Sequence, residues 1–259
     1  MKFLLAVFST LLLSCLGSKA DFQRPHADVA RNGWVKHARR ASEGKYPFQV
    51  SLQVFSEHEC GATILDQEFL LTAAHCIYNG SMDDYTIRAG SNNYKRGGSV
   101  HNVIDWIYHE NYLNHKYWKN DIAILKIDPP LTYSTKVQPT KLPVAGEEPT
   151  VGAASVAIGW GSKCYGCESI RHLHEVSLEI YSYEQCLDSM QQQPTTDMIC
   201  SGIPGEGAEV CSGDSGGALL VNGTQVGITS WLVVPCAFNP AVWTRVSHYR
   251  DWIRNKSGV

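Results

Sequence analysis

Beyond its first twenty residues, the chain of 259 has no apolar run long enough to cross a bilayer. It also lacks an excess of charge: 22 Lys and Arg stand against 25 Asp and Glu, a formal net charge of -3. That balance gives no footprint for nucleic acid or a membrane surface. No internal repeat or low-complexity tract is present, and sustained 3.6-residue periodicity is almost missing, so long helices are not expected to build the fold. Cys164-Tyr-Gly-Cys167 has the spacing of half a zinc site or of a redox motif. No second metal-ligand pair at matching spacing accompanies it, and no βαβ pattern surrounds it, which favours a small local disulfide. No metal or cofactor is expected.

What is present begins with MKFLLAVFSTLLLSCLGSKA, which has one early lysine, an apolar stretch and a Ser18-x-Ala20 ending. It reads as a secretory signal peptide over 1–20, and only faintly (LLSC at 12–15) as a lipoprotein box. Its removal takes Cys15 with it and leaves eight of the nine cysteines. An even number in an exported chain predicts disulfides. Residues 21–34 read as a propeptide or lead-in, within a polar, basic stretch that reaches Lys45, and 35–259 as one domain. Short apolar runs then alternate with Gly, Asn, Pro and Asp: FQVSLQVF, ATIL, FLLTAA, YTIRAG, VIDWIYH, DIAILKI, ASVAIGW, HEVSLEI, GALLV, QVGITSW and AVWTRV. Each suits a strand, so the pattern predicts an all-β barrel or sandwich fold. Only the tail, SHYRDWIRNK, places Tyr249, Trp252 and Ile253 on one helical face. Sequons stand at Asn79, Asn222 and Asn255, permitting glycosylation of an exported, extracellular protein.

Three motifs bear chemistry. LTAAHC puts His75 before Cys76, NDIAIL puts Asp121 before an alternating strand, and GDSGG sets Ser215 among glycines. Each alone reads equally as a core histidine, a strand-start aspartate or a glycine turn. In this order, with CGATIL before the histidine, GWG at 159–161, SW at 230–231 and a terminal DWI, the chain resembles the chymotrypsin/trypsin family of serine endopeptidases. TILDQEFLLTAAHC also looks like the mite digestive trypsins known as group 3 allergens, some of whose relatives are inactivated paralogues.

The resemblance implies two six-stranded antiparallel β-barrels with the active site in the cleft between them, and a short C-terminal helix. His75 would act as general base, Asp121 would hold its tautomer, and Ser215 would be the nucleophile. The N–H groups of Gly213 and Ser215 would form the oxyanion hole. The same alignment implies bridges Cys60–Cys76, Cys186–Cys200 and Cys211–Cys236, and leaves Cys164 with Cys167. Another family bridge is absent at both ends, where Ser155 and Val221 stand. The loop GSNNYKRGG at 90–98 lacks the carboxylates of the family's calcium site. A protein or peptide substrate, protease inhibitors as further partners, and a monomer are what the family implies.

Two departures qualify this. The activation segment falls on Val35-Lys36-His37-Ala38, whose freed amino group would pair with Asp214. Lysine, histidine and alanine replace an apolar residue and two glycines, and burying an unpartnered lysine would cost several kcal/mol. The dibasic Arg39-Arg40 lies downstream, as a solvated patch or a processing signal. In the substrate pocket, bounded by Ser230 and Trp231, Glu209 stands where trypsin-like members have aspartate. Leu232 and Ala241 stand where glycines form the walls. The charge says basic substrate while the walls leave little room. Two readings follow: a secreted endopeptidase with a narrowed pocket taking small, medium or slender basic side chains, or an inactive paralogue serving as a binding or decoy protein.

Overall fold

The structure, a computed structural model, describes residues 35–112, 118–190 and 194–259, with the side chain of Ser189 excepted. The expected signal peptide over 1–20 and the expected lead-in over 21–34 lie outside the described residues. Among those described, no helix is long and apolar enough to cross a membrane.

Two closed antiparallel barrels of six strands each make up the described residues. After a two-residue strand β1 (Arg39–Arg40), the first barrel uses β2 (Gln49–Val54), β3 (Glu57–Ile64), β4 (Phe69–Thr72), β5 (Tyr85–Ala89), β6 (Ser99–Tyr108) and β7 (Ala123–Asp128), joined in the order β2-β3-β4-β7-β6-β5. Its strands face a core of Leu52, Ile64, Leu70, Leu71, Ile87 and Leu125, all fully buried. In β5 the burial alternates residue by residue, the period-2 signature of a strand with one face inward.

The second barrel uses β8 (Ala154–Gly159), β9 (His174–Ile180), β10 (Met198–Gly202), β11 (Ala218–Val221), β12 (Thr224–Leu232) and β13 (Ala241–Arg245). The order runs β9-β10-β13-β12-β11-β8, and β8 pairs back onto β9 to close it. Helix α1 (Tyr183–Ser189) starts at a capping box in which Ser182 and Gln185 exchange side-chain and backbone bonds. Cys186–Cys200 ties it to β10. The tail forms α2 (Arg250–Ser257), stopped by Gly258 at φ +82°. Through Val246, Tyr249 and Ile253 it packs into the core of the first barrel, so the end of the chain locks the two halves together.

All four expected disulfides are formed: Cys60–Cys76, Cys164–Cys167, Cys186–Cys200 and Cys211–Cys236. Asn79, Asn222 and Asn255 are not buried.

Candidate active site

His75 sits in a single 3-10 turn (Ala74–Cys76) at the end of β4, where Cys60–Cys76 staples the turn to β3. Asp121 lies just before β7, the neighbour of β4, and is completely buried. Its two oxygens are divided: Oδ1 accepts the His75 backbone N–H at 2.9 Å, and Oδ2 faces His75 Nδ1 at 2.7 Å. The Ser230 hydroxyl from the second barrel donates to the same Oδ2, and Thr244 donates to the Asp121 carbonyl at 2.7 Å. An imidazole so held carries its proton on Nδ1 and leaves Nε2 as the acceptor. Burial pushes the His75 pKa down, but the charge and hydrogen bond of Asp121 outweigh it and the net shift is upward. Trp118 meets the imidazole edge-on at 5.4 Å.

Behind Asp121 a buried network joins the barrels. Tyr249 Oη lies 2.6 Å from Asp197 Oδ2 and 2.9 Å from Asn120 Oδ1, and Asn120 takes the left-handed region at φ +59°. Asn120 directly precedes Asp121 in the chain, yet nothing in the NDIAIL motif reveals its partners at 197 and 249.

Ser215 is carried on a turn between Cys211, bonded to Cys236, and β11. Its carbonyl accepts the Gly61 N–H at 2.7 Å, crossing from the second barrel to β3 of the first. Gly216, at φ +74°, lets this approach happen, since a Cβ there would lie 2.3 Å from the Gly61 carbonyl and 3.3 Å from Cys76 Sγ. Serine and histidine loops are therefore neighbours. His75 Nε2 lies 3.8 Å from Cys76 Sγ, and among the described residues no hydrogen bond joins it to the Ser215 hydroxyl. Such contacts commonly tighten only when substrate is bound.

His58 was not singled out from the sequence, yet it supports this turn. Its Nε2 lies 2.8 Å from the Gly213 carbonyl and its Nδ1 2.8 Å from Ser51 Oγ, so the ring fixes the peptide leading out of Gly213. Burial pulls the His58 pKa down from 6.5 to about 4. Next in the chain, Asp214 accepts N–H bonds from Gly161 at 2.8 Å and Cys211 at 2.9 Å, and burial pushes its pKa up to about 6. Gly161 is required here, because a Cβ would fall 2.3 Å from the carboxylate.

These two groups have opposite linkage. The unfolded chain protonates His58 near pH 6.5 and the folded chain only near 4, so falling pH through that window favours unfolding. For Asp214 the folded carboxyl takes its proton near 6 and the unfolded one near 3.8, so the same fall in pH favours the fold. Comparing the wild type with Asp214→Asn isolates the second effect. Between pH 7 and 4 the wild type should gain on the order of 3 kcal/mol relative to that variant, measured by denaturant unfolding. Against His58→Gln the difference should slope the other way.

The segment before β1 lies on the second barrel. The Val35 N–H donates to the Lys163 carbonyl at 2.8 Å, and Val35 and Ala38 line a cavity together with Gly159, Gly161, Glu209 and Asp214. Lys36 and His37 are exposed, so the foreseen cost of burying Lys36 does not arise. Arg39 and Arg40 pair with Glu175 and His174 of β9, and Arg39 Nε donates to Glu175 Oε1 at 2.8 Å. The dibasic pair is thus part of a β-ladder.

Glu209 is almost wholly buried, and its Oε2 accepts the backbone N–H groups of Lys36 and of His37, the latter at 2.9 Å. Leu232 pairs with Ala241 across β12 and β13, and packs against the cluster containing Ala208, Val210 and Ala241. Trp231 is buried beside them against Val242, Met198 and Cys200.

Two closed barrels, with a His–Asp pair on the first and a serine turn of the second anchored to its strand β3, define the class of trypsin- and chymotrypsin-like serine endopeptidases. Residues 35–253 match the family model Trypsin, and the chain belongs to that family. It is 34% identical over 256 residues to a trypsin of Phaedon cochleariae, covering 96% of this chain and 98% of the relative. It is 38% identical over 214 residues to trypsin delta of Drosophila melanogaster, covering 80% and 82%. Among solved structures it is similar to neuropsin, a serine protease expressed in the limbic system of mouse brain. There the TM-score is 0.77 at 29% identity, over 85% of this chain and 98% of that one. It is also similar to human heparin binding protein, with a TM-score of 0.76 at 25% identity, over 84% and 94%.

Proposed function

We propose that the chain is a secreted endopeptidase, made as a precursor, that hydrolyses peptide bonds through an acyl-enzyme on Ser215. His75 Nε2 takes the serine proton during attack on the scissile carbonyl and returns it to the leaving amine. Asp121 keeps the proton on Nδ1 and stabilises the imidazolium that forms. The Gly213 and Ser215 N–H groups receive the oxyanion of the tetrahedral intermediate, and water then repeats the sequence on the acyl-enzyme. The observation that carries this reading is the twofold grip of Asp121 on His75, by backbone and by ring, beside a serine turn anchored across the cleft to Gly61.

The leader and the four disulfides support export. Cleavage before Val35 would leave a cationic amine on a residue that lines the same cavity as Asp214. Its charge would supply what that desolvated carboxyl lacks. The altered segment Lys36-His37-Ala38 favours the second reading, a family member that binds proteins without cutting them.

A cleavable sequence placed directly before Val35 separates the two. Processed protein should hydrolyse a denatured protein substrate while the uncut form does not. A processed, folded protein with no turnover supports the non-catalytic reading.

A further inference from the structure

The carboxylate at the expected pocket position faces the segment 35–38. One oxygen of Glu209 is shared by the backbone N–H groups of two successive residues, Lys36 and His37. No Lys or Arg side chain pairs with this carboxylate among the described residues. A buried carboxylate without a counter-charge persists only where fixed N–H donors hold it. The backbone of Glu209 is in the left-handed region at φ +55°, a strained setting for a side chain with a Cβ. Such strain survives where the surroundings fix the residue, and the segment does so from a second point. Three residues upstream of Glu209, Glu206 Oε2 lies 2.7 Å from His37 Nε2. The cavity that Glu209 lines is bounded by Val35, Ala38 and Asp214, and neither Trp231 nor Leu232 contributes to it.

The wall positions tell the same story from the other side. Leu232 lies against the apolar cluster of Ala208, Val210, Ala241 and Trp243, where a long cationic side chain would meet methyl groups and no free carboxylate.

From this juxtaposition we infer that Glu209 is a positioning residue for the segment 35–38, and that the primary specificity pocket takes small apolar side chains of alanine to valine size. The inference rests on the proteolytic reading above and names its substrate class. A basic side chain in this pocket would lose water without gaining a counter-charge. An alanine or valine has little hydration to lose beside these apolar walls.

The test uses the full domain processed before Val35 and peptides that differ only in the residue before the scissile bond: Ala, Val, Phe, Arg and Lys. The expected kcat/KM for Ala and Val exceeds that for Arg and Lys by at least ~100-fold. Glu209→Ala should lower kcat for every peptide alike and leave their ranking intact. Glu209→Gln, which keeps an acceptor for the two N–H groups, should restore part of the loss. Leu232→Gly with Ala241→Gly should admit Phe without any gain at Arg or Lys.

Wild-type preference for Arg or Lys overturns the inference, and so does a Glu209→Gln loss confined to those two peptides. If processed protein is silent toward all five peptides and also toward a fluorophosphonate probe, the proteolytic reading falls and takes this inference with it. Reaction with the probe together with cleavage after Arg or Lys overturns the inference alone.

Discussion

Replacing Ser215 with alanine should lower the turnover of the processed protein by at least ~10^4-fold while leaving its unfolding free energy within about 0.5 kcal/mol of wild type. The two halves of this expectation have separate causes. The hydroxyl is the atom to be acylated, and water cannot take its place in the same geometry. What remains after its loss is the contribution of the oxyanion donors and of binding. The fold is spared because the structural contact of residue 215 is made by its backbone. Its carbonyl accepts the Gly61 N–H, a bond that alanine keeps, and the half-buried hydroxyl has no hydrogen-bond partner among the described residues. Steady-state kinetics and denaturant unfolding on the same preparations check both halves.

Asp121→Asn should cost about four orders of magnitude in kcat/KM, and unlike Ser215→Ala it should also destabilise the protein. Oδ2 now accepts from two partners, the His75 ring and the Ser230 hydroxyl. An amide nitrogen at that place donates and cannot accept. It would drive the His75 proton from Nδ1 to Nε2, and an Nε2 that bears a proton cannot take one from serine. The Ser230 hydroxyl would lose its acceptor inside a fully buried site, which costs about 1–3 kcal/mol. The pH profile gives an independent check. Asp121 is what raises the His75 pKa against burial, so the acid limb of the wild-type profile should lie above pH 6.5. In the Asp121→Asn variant, which lacks the carboxylate, that limb should move to lower pH. An unchanged limb would mean that another group governs the activity.

The architecture was largely legible because barrel strands announce themselves one at a time. HEVSLEI became β9 over all seven of its residues, and QVGITSW became the centre of β12. Each of the other nine apolar runs overlaps a strand. Met198–Gly202 escaped because its five residues include Cys, Ser and Gly and show no alternation. It is a strand because β9 and β13 flank it and the barrel must close. Arg39–Arg40 is a strand for the same non-local reason. Helix α1 did carry a local signal, the Ser182-x-x-Gln185 spacing of a capping box, which short length and strand-rich surroundings obscured.

The site divides along similar lines. His75, Asp121 and Ser215 stand in motifs because each sits at the end of a local element, and the structure brings their loops together. His58 has no motif, since its partner Gly213 is 155 residues away. The orientation of Glu209 was equally hidden. It depends on one backbone angle and on two N–H groups more than 170 residues distant. Sequence spacing places a residue at a pocket, but only the hydrogen-bond partners show which side of the wall its charge serves.

The most direct test of the account is to treat the protein, processed before Val35, with a fluorophosphonate serine probe and to map the adduct by mass spectrometry. The account predicts one adduct, on Ser215, absent from Ser215→Ala and strongly reduced in Asp121→Asn. A folded, processed protein that takes up no probe, or takes it up on another serine, would contradict it.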